Sequence, residues 1–366
     1  MNKTIEIISV RIHNDKVGRL AISPEGLAVF EYDNNWLGNA YSISPFYLPL
    51  KNGIFTAKRN PFQGNFGVFA DSLPDGWGNL LLDRVLKKYK INPNTLNILN
   101  RLSLVGYNGM GALCYEPEQE ISHLIPSLDL NFLAKEVDKI LNEEVESDAL
   151  ELINQQAASS AGAHPKVMLK YNNEHWLVKF PSSTDSKNIG EIEYKYSILA
   201  KESGLEMSET LLFEGKYFGV KRFDRDGENR FHIHSAAALL YADFRLPALD
   251  YIDLIKATWA LTRNVKEAEK MFRLMVFNFL IENKDDHAKN FSFIFKENKW
   301  KCSPVYDILP SSGFNGQHST TIAGQGKPSI KDIYEVAKQS NISAKNAKLI
   351  YEEVADVIVS KQRRIK

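Results

Sequence analysis

Apolar and polar residues alternate through the opening of the chain, at Ile5, Ile7, Val10, Ile12, Val17, Leu20 and Ile22, then at Leu27, Val29 and Phe30. Turn-forming pairs, Asn14-Asp15, Ser23-Pro24 and Asp33-Asn34, divide the run. Strand side chains point to alternate faces, so the pattern predicts short antiparallel strands. A helical period follows from Leu80 to Tyr89, after Leu73-Pro74-Asp75-Gly76-Trp77-Gly78. Farther on, Val167–Tyr171 and Trp176–Phe180 flank Asn172-Asn173-Glu174, and Leu211–Phe213 and Tyr217–Val220 flank Glu214-Gly215-Lys216. Both read as hairpins. Between them Ile192, Tyr196, Leu199 and Ala200 mark a helix, with Gly204 where a C-cap would stand. Long helical periods dominate after residue 235, over Tyr251–Leu261, Ala268–Ile281 and Ala344–Ile358.

These elements predict an α+β chain in four parts. A small α+β domain covers 1–115. An acidic connecting helix or linker, its charge on a solvated face, covers 116–151. A mostly β lobe covers 152–230, and a helical lobe covers 231–366. A β lobe followed by an all-α lobe is the order of a protein-kinase-like two-lobed core.

Composition narrows the picture. Lys+Arg and Asp+Glu are both 45, giving zero formal net charge. Binding nucleic acid over the whole surface needs a cationic excess, so that class is disfavoured. The two cysteines, Cys114 and Cys302, are too few for a disulfide framework or a Cys-based zinc site, and they suit a reducing cytoplasm. The first residues carry no uninterrupted apolar segment of signal-peptide type, and no apolar run approaches a membrane span.

The strongest chemical signal is Asn283-Lys284-Asp285-Asp286-His287-Ala288-Lys289-Asn290, set between an apolar helix and an apolar strand. Asp and Asn five residues apart at such a junction fit a kinase catalytic loop. Asp285 would orient the acceptor hydroxyl and Asn290 would ligate magnesium. Asp286, one residue out of register, takes a supporting role. Taken alone, the segment also suits an Asx-rich capping turn. Asp307 stands seventeen residues past Asn290, after an expected hairpin, in Pro304-Val305-Tyr306-Asp307-Ile308-Leu309. That is where a kinase carries its second metal-binding Asp, although the Phe-Gly that commonly follows is missing. Ser159-Ser160-Ala161-Gly162-Ala163, ending at Lys166, is a run of small residues able to approach phosphate oxygens, but it is not a Walker A motif. Lys179 lies inside an apolar strand and Glu193 on the next helix, with Glu191 as runner-up, a pairing that grips α- and β-phosphates in kinases.

In that order the motifs resemble the HipA family of bacterial toxin kinases. The resemblance rests on Phe66-Gly67 through Gly78, the Ser159–Lys166 loop, Lys179-Phe180-Pro181, Glu193 with Gly204, Val220 through Arg225, Asp285 through Phe291, and Tyr306 through Leu309. It implies a serine/threonine protein kinase using ATP and Mg2+, with Lys221, Phe223, His287 and Lys289 also on the nucleotide. It further implies autophosphorylation of Ser159, with Ser160 as runner-up. A HipB-like helix-turn-helix antitoxin would be the partner, with DNA reached mainly through it, and an aminoacyl-tRNA synthetase would be the type of substrate. A small-molecule or lipid kinase, or a regulatory nucleotide-binding protein, could be built on the same core.

Overall fold

The computed structural model describes the chain except residues 1–4, 40, 120–129, 143–149, 158–161, 163 and 362–366. It divides into two compact units, residues 1–191 with 211–232, and residues 192–210 with 233–366.

In the first unit the alternating opening segment forms β1 (Ile7–Ile12), β2 (Asp15–Ile22) and β3 (Ala28–Tyr32). With β4 (Ile54–Thr56) and β5 (Leu113–Glu116) they make a five-stranded sheet in the order β4-β3-β2-β1-β5. Its apolar face buries Ile8, Val10, Leu20 and Phe30 against Phe69, Leu99 and Leu102. Helix α1 (Gly76–Lys88) carries the predicted Leu80–Tyr89 period.

The acidic connector departs from expectation. Its helices α2 (Leu130–Leu141) and α3 (Leu150–Ala157) join a core with Trp77, Leu81 and Val85 of α1. Two of its acids are not solvated: Glu136 is 2% exposed and pairs with Lys139, and Glu151 is 6% exposed and pairs with Lys88. The apolar positions Leu133, Val137 and Ile140 recur at helical spacing and draw this face inward, and lysines then satisfy the acids carried in with it.

Both predicted hairpins form. β6 (Lys166–Tyr171) and β7 (Glu174–Lys179) turn at Asn172 and Asn173, each with φ near +50 to +60°. Asparagine tolerates this left-handed conformation, which matches the twist of a two-residue turn. With β8 (Thr210–Phe213) and β9 (Tyr217–Lys221) they form a sheet in the order β6-β7-β9-β8. One face, including Val167, Leu169, Trp176 and Val178, packs into the core shared with α1, α2 and α3.

Helix α4 (Ile189–Glu202) starts in the first unit and continues in the second, ending before Gly204 at φ +77°. The second unit is built on α5 (Tyr251–Thr262), α6 (Val265–Leu280) and α7 (Ala344–Lys361). This half, expected to be all α, also carries a three-stranded sheet, β10 (His232–Ser235), β11 (Ser292–Lys296) and β12 (Lys299–Cys302), in that order. The β11–β12 hairpin turns at Glu297 and Asn298, both at positive φ. Cys114 and Cys302 are free, buried thiols. Among the described residues no helix is long and apolar enough to cross a membrane.

Candidate active site

In the second unit, α6 ends at Leu280 and the chain runs through the Asp285–Asn290 segment into β11. Asp285 is exposed and Asp286 fully buried. Asn290 donates from Nδ2 to the Asp285 carbonyl at 2.7 Å, which closes the loop and leaves Asn290 Oδ1 as the atom suited to a cation.

Asp286 is the hub that holds the loop. Its Oδ2 accepts from the Tyr251 hydroxyl at 2.9 Å and from His318 Nδ1 at 2.8 Å. A carboxylate only accepts, so His318 carries its proton on Nδ1. Asp286 Oδ1 accepts from the backbone N–H groups of Ser319 at 2.9 Å and Thr320 at 3.3 Å. Thr320 Oγ1 donates back to the Asp286 carbonyl. Burial, and then the Asp286 charge, push the Tyr251 phenol well above its usual range, so it remains a donor. Residues 318–321 reach this position because Thr320–Thr321 pair in parallel with Leu249–Asp250 at the start of α5.

Asp307 takes φ +52°, a left-handed conformation that aspartate tolerates better than most residues. Two hydrogen bonds join its segment to the loop. Asn283 Nδ2 donates to the Asp307 carbonyl at 3.2 Å, and the Tyr306 hydroxyl donates to the Lys289 carbonyl at 2.8 Å. The structure thereby brings Asp285, Asn290 and Asp307 into one hydrogen-bonded assembly. Beside it, the Lys289 ammonium sits 4.0 Å from the centroid of the Phe244 ring, which also packs near the His287 ring. His287 Nδ1 is buried with no hydrogen-bond partner among the described residues.

In the first unit, Lys166 and Lys179 are directly opposite in the β6–β7 ladder, so both point to the face away from the core. Across that face run Met168, Leu177 and Val220, paired strand to strand and half-buried. Lys166 is 4% exposed, and Lys179 lies over the Phe218 ring at 5.7 Å. Like charges at facing positions are unfavourable by themselves and suit a multiply charged anion. An apolar ledge beside two lysines matches the two ends of a nucleotide. Lys221 lies on the other face, opposite Trp176, and its ammonium pairs with Glu174 at 2.7 Å. Its side chain is not brought together with Lys166 and Lys179.

Phe223 is half-buried between Arg222 and Asp224, and Glu193 is buried on α4. Asp224 anchors this stretch. It accepts from Arg222, from Arg225 and from the Gly111 N–H, while Arg225 and Arg230 donate to the Gly109 and Gly111 carbonyls. Its neighbouring guanidiniums outweigh burial and hold its carboxyl far below the usual range. Burial pushes Arg225 down to about 9, which leaves it charged at neutral pH. Gly162 is described, whereas Ser159, Ser160, Ala161 and Ala163 lie outside the described residues.

The donor set fits magnesium in one way. Among the described residues no group of three or more His, Cys, Asp or Glu side chains could hold a metal. Magnesium commonly takes one or two carboxylates and completes its shell with water and substrate phosphates, as Asp307 and Asn290 would allow.

Sequence reading gave no role to Tyr251, His318 or Phe244, and quoted Asn283 only as the first residue of the loop run. Each meets the Asp285–Asn290 loop or the Asp307 segment through contacts that local sequence does not show, and His318 is 32 residues away from Asp286.

Comparison with known proteins gives consistent matches. The family described as the HipA-like C-terminal domain matches residues 158–362, and that described as the HipA N-terminal domain matches residues 8–116. A Sinorhizobium fredii protein named as a candidate kinase, Y4dM, is 24% identical over 338 residues, covering 83% of this chain and 77% of that protein. A similarly named Haemophilus influenzae protein is 26% identical over 196 residues, covering 46% of this chain and 57% of that one. The solved structure of Shewanella oneidensis HipA with HipB and operator DNA shares the fold. It has a TM-score of 0.70 at 19% identity and covers 96% of this chain and 91% of that one.

Proposed function

The chain belongs to the HipA family, and from that premise we propose that it is an ATP- and magnesium-dependent serine/threonine protein kinase, the toxin of a toxin–antitoxin pair in the cytoplasm. The observation that carries this reading is the pair of hydrogen bonds joining the Asp285–Asn290 loop to the Asp307 segment, Asn283 to the Asp307 carbonyl and Tyr306 to the Lys289 carbonyl. They tie together the two backbone segments that carry Asp285, Asn290 and Asp307, which supports these residues as the acceptor-orienting and metal-binding groups of phosphoryl transfer.

Asp285, exposed at the loop, orients a serine or threonine hydroxyl and accepts its proton. Asn290 Oδ1 and the Asp307 carboxylate would hold magnesium, which would supply positive charge to offset that of the phosphates. Lys166 and Lys179 neutralise the remaining phosphate charge. Met168, Leu177 and Val220 offer an apolar surface to the base. Catalysis on this reading is mostly positioning and charge stabilisation.

The Shewanella neighbour was solved with HipB and operator DNA, which supports a helix-turn-helix antitoxin as partner here. Family likeness supports a translation-related substrate such as an aminoacyl-tRNA synthetase, and self-modification at Ser159, with Ser160 as the neighbour to exclude. Phosphate there would add nearly two negative charges where ATP phosphates must bind.

Incubating the protein with γ-labelled ATP and magnesium, alone and with ribosome-free bacterial lysate, tests the reading. Label on the chain or on a lysate protein, absent with Asp285→Ala, is the expected result. Transfer only to small molecules from a metabolite panel would replace it with a metabolite kinase. ATP binding without any transfer would replace it with a nucleotide-binding regulator, provided mass spectrometry shows Ser159 unmodified.

A further inference from the structure

Asp75 occupies the N-cap position of α1, where aspartate ordinarily accepts a hydrogen bond from its own helix. Here its side chain makes no cap hydrogen bond. The carboxylate instead accepts from the backbone N–H of Gly162, 3.4 Å away and 87 residues along the chain. Trp77 engages the same glycine from the other side. Its N–H, one of the orphan donors of the first helical turn, donates to the Gly162 carbonyl at 3.3 Å. Its indole Nε1 donates to the Lys166 carbonyl at 3.2 Å. Both backbone groups of Gly162 are therefore held by the start of α1.

Gly162 and Lys166 are also fitted to one another. Gly162 has φ +94°, and a Cβ placed there would lie 2.9 Å from Lys166 Nζ. The ammonium that shares a sheet face with Lys179 thus rests against the glycine that Asp75 and Trp77 hold.

We propose that Asp75 and Trp77 are positioning residues for the polyphosphate of a nucleoside triphosphate. By holding Gly162 and the start of β6 they set where the Lys166 ammonium stands. They act through Lys166, so they govern affinity for the phosphates and not for the nucleoside. The proposal rests on the kinase reading above.

Calorimetric titration of the full chain with magnesium and a non-hydrolysable ATP analogue, and separately with adenosine, tests it. Asp75→Ser restores a helix cap but is too short to reach Gly162, so its thermal midpoint should match the wild type or exceed it. Its affinity for the ATP analogue should fall about ten-fold, the scale of one hydrogen bond to a charged group. Its affinity for adenosine should stay within about two-fold of the wild type. Trp77→Phe keeps an aromatic ring, removes the indole donor, and should show the same selective loss. Unchanged affinity for the ATP analogue in a folded variant overturns the proposal. Parallel loss of analogue and adenosine overturns it too, because that marks a general structural role. A wild-type chain that binds neither ligand would overturn the kinase reading and this inference with it. A wild-type chain that binds the analogue normally while the variants match it defeats the inference alone.

Discussion

Asp286 and Asp224 are both buried, and each side chain accepts four hydrogen bonds, but from different kinds of donor. Asp224 takes three from the guanidiniums of Arg222 and Arg225 and one from the Gly111 N–H. Asp286 takes a phenol, an imidazole and two backbone N–H groups, and no Arg or Lys. The first arrangement is a charge cage, strong but tolerant in direction. The second is a set of directional dipoles, which fixes an orientation. Position explains the choice. A guanidinium on Asp286 would stand one residue from Asp285 and would weaken that carboxylate's hold on a proton. Asp224 has no such neighbour to protect.

Removing each hub should therefore have a different main effect. Asp286→Ala should cost the largest amount of activity, about 10²- to 10⁴-fold in kcat, comparable to losing the acid–base group it orients. ATP affinity should change little, and kinase activity within two-fold of wild type would refute the hub. Asp224→Asn should act on stability first, by about 3–5 kcal/mol, because it leaves guanidiniums buried without their counter-charge. Chemical denaturation would measure it.

The same variant has a signature in pH. The folded-state pKa of Asp224 is depressed, so its contribution is fully present above the unfolded value near 4 and is lost as pH falls toward the folded value. Wild-type stability should drop below about pH 4, and Asp224→Asn should lack that part of the drop. An identical acid limb in both proteins would show that the cage does not hold a charged aspartate.

Tyr251→Phe removes one of the four donors from Asp286 and leaves the other three. A loss of about 1 to 1.5 kcal/mol in stability is expected, with a smaller fall in kcat than Asp286→Ala. Lys221→Ala should be nearly silent. Its pair with Glu174 is partly exposed and worth about 0–1 kcal/mol, and its side chain lies across the sheet from Lys166 and Lys179. A large loss of ATP affinity in that variant would show that Lys221 reaches the nucleotide.

Legibility in the sequence followed the distance between partners. The β6–β7 turn could be read from Asn172-Asn173, because neighbouring residues decide a turn. That the segments of Asp285, Asn290 and Asp307 lie side by side could be read from spacing, because one hairpin connects them. The partners of Asp286 could not, since Tyr251 and His318 stand 35 and 32 residues away on either side. Asp75 read as part of a motif, but its reach across 87 residues to Gly162 had no local sign. The charge of the connector pointed outward by composition, whereas Glu136 and Glu151 went inward with their apolar neighbours and took lysines with them. Ser159 and Ser160 lie outside the described residues, so the proposed modification rests on family likeness alone.

The interleaving of the two units bears on how a ribosome delivers them. β1 must find β5, a hundred residues later, before the first sheet is complete. The first unit then needs residues 211–232 to be finished. Residues 192–210, with the buried Leu199, Ala200 and Leu205, belong to the second unit, so they emerge before the residues 233–366 that complete that unit. Synthesis at about 5–20 residues per second makes that wait roughly ten to thirty seconds long. During it, a short apolar segment of the nascent chain stands ready for a chaperone.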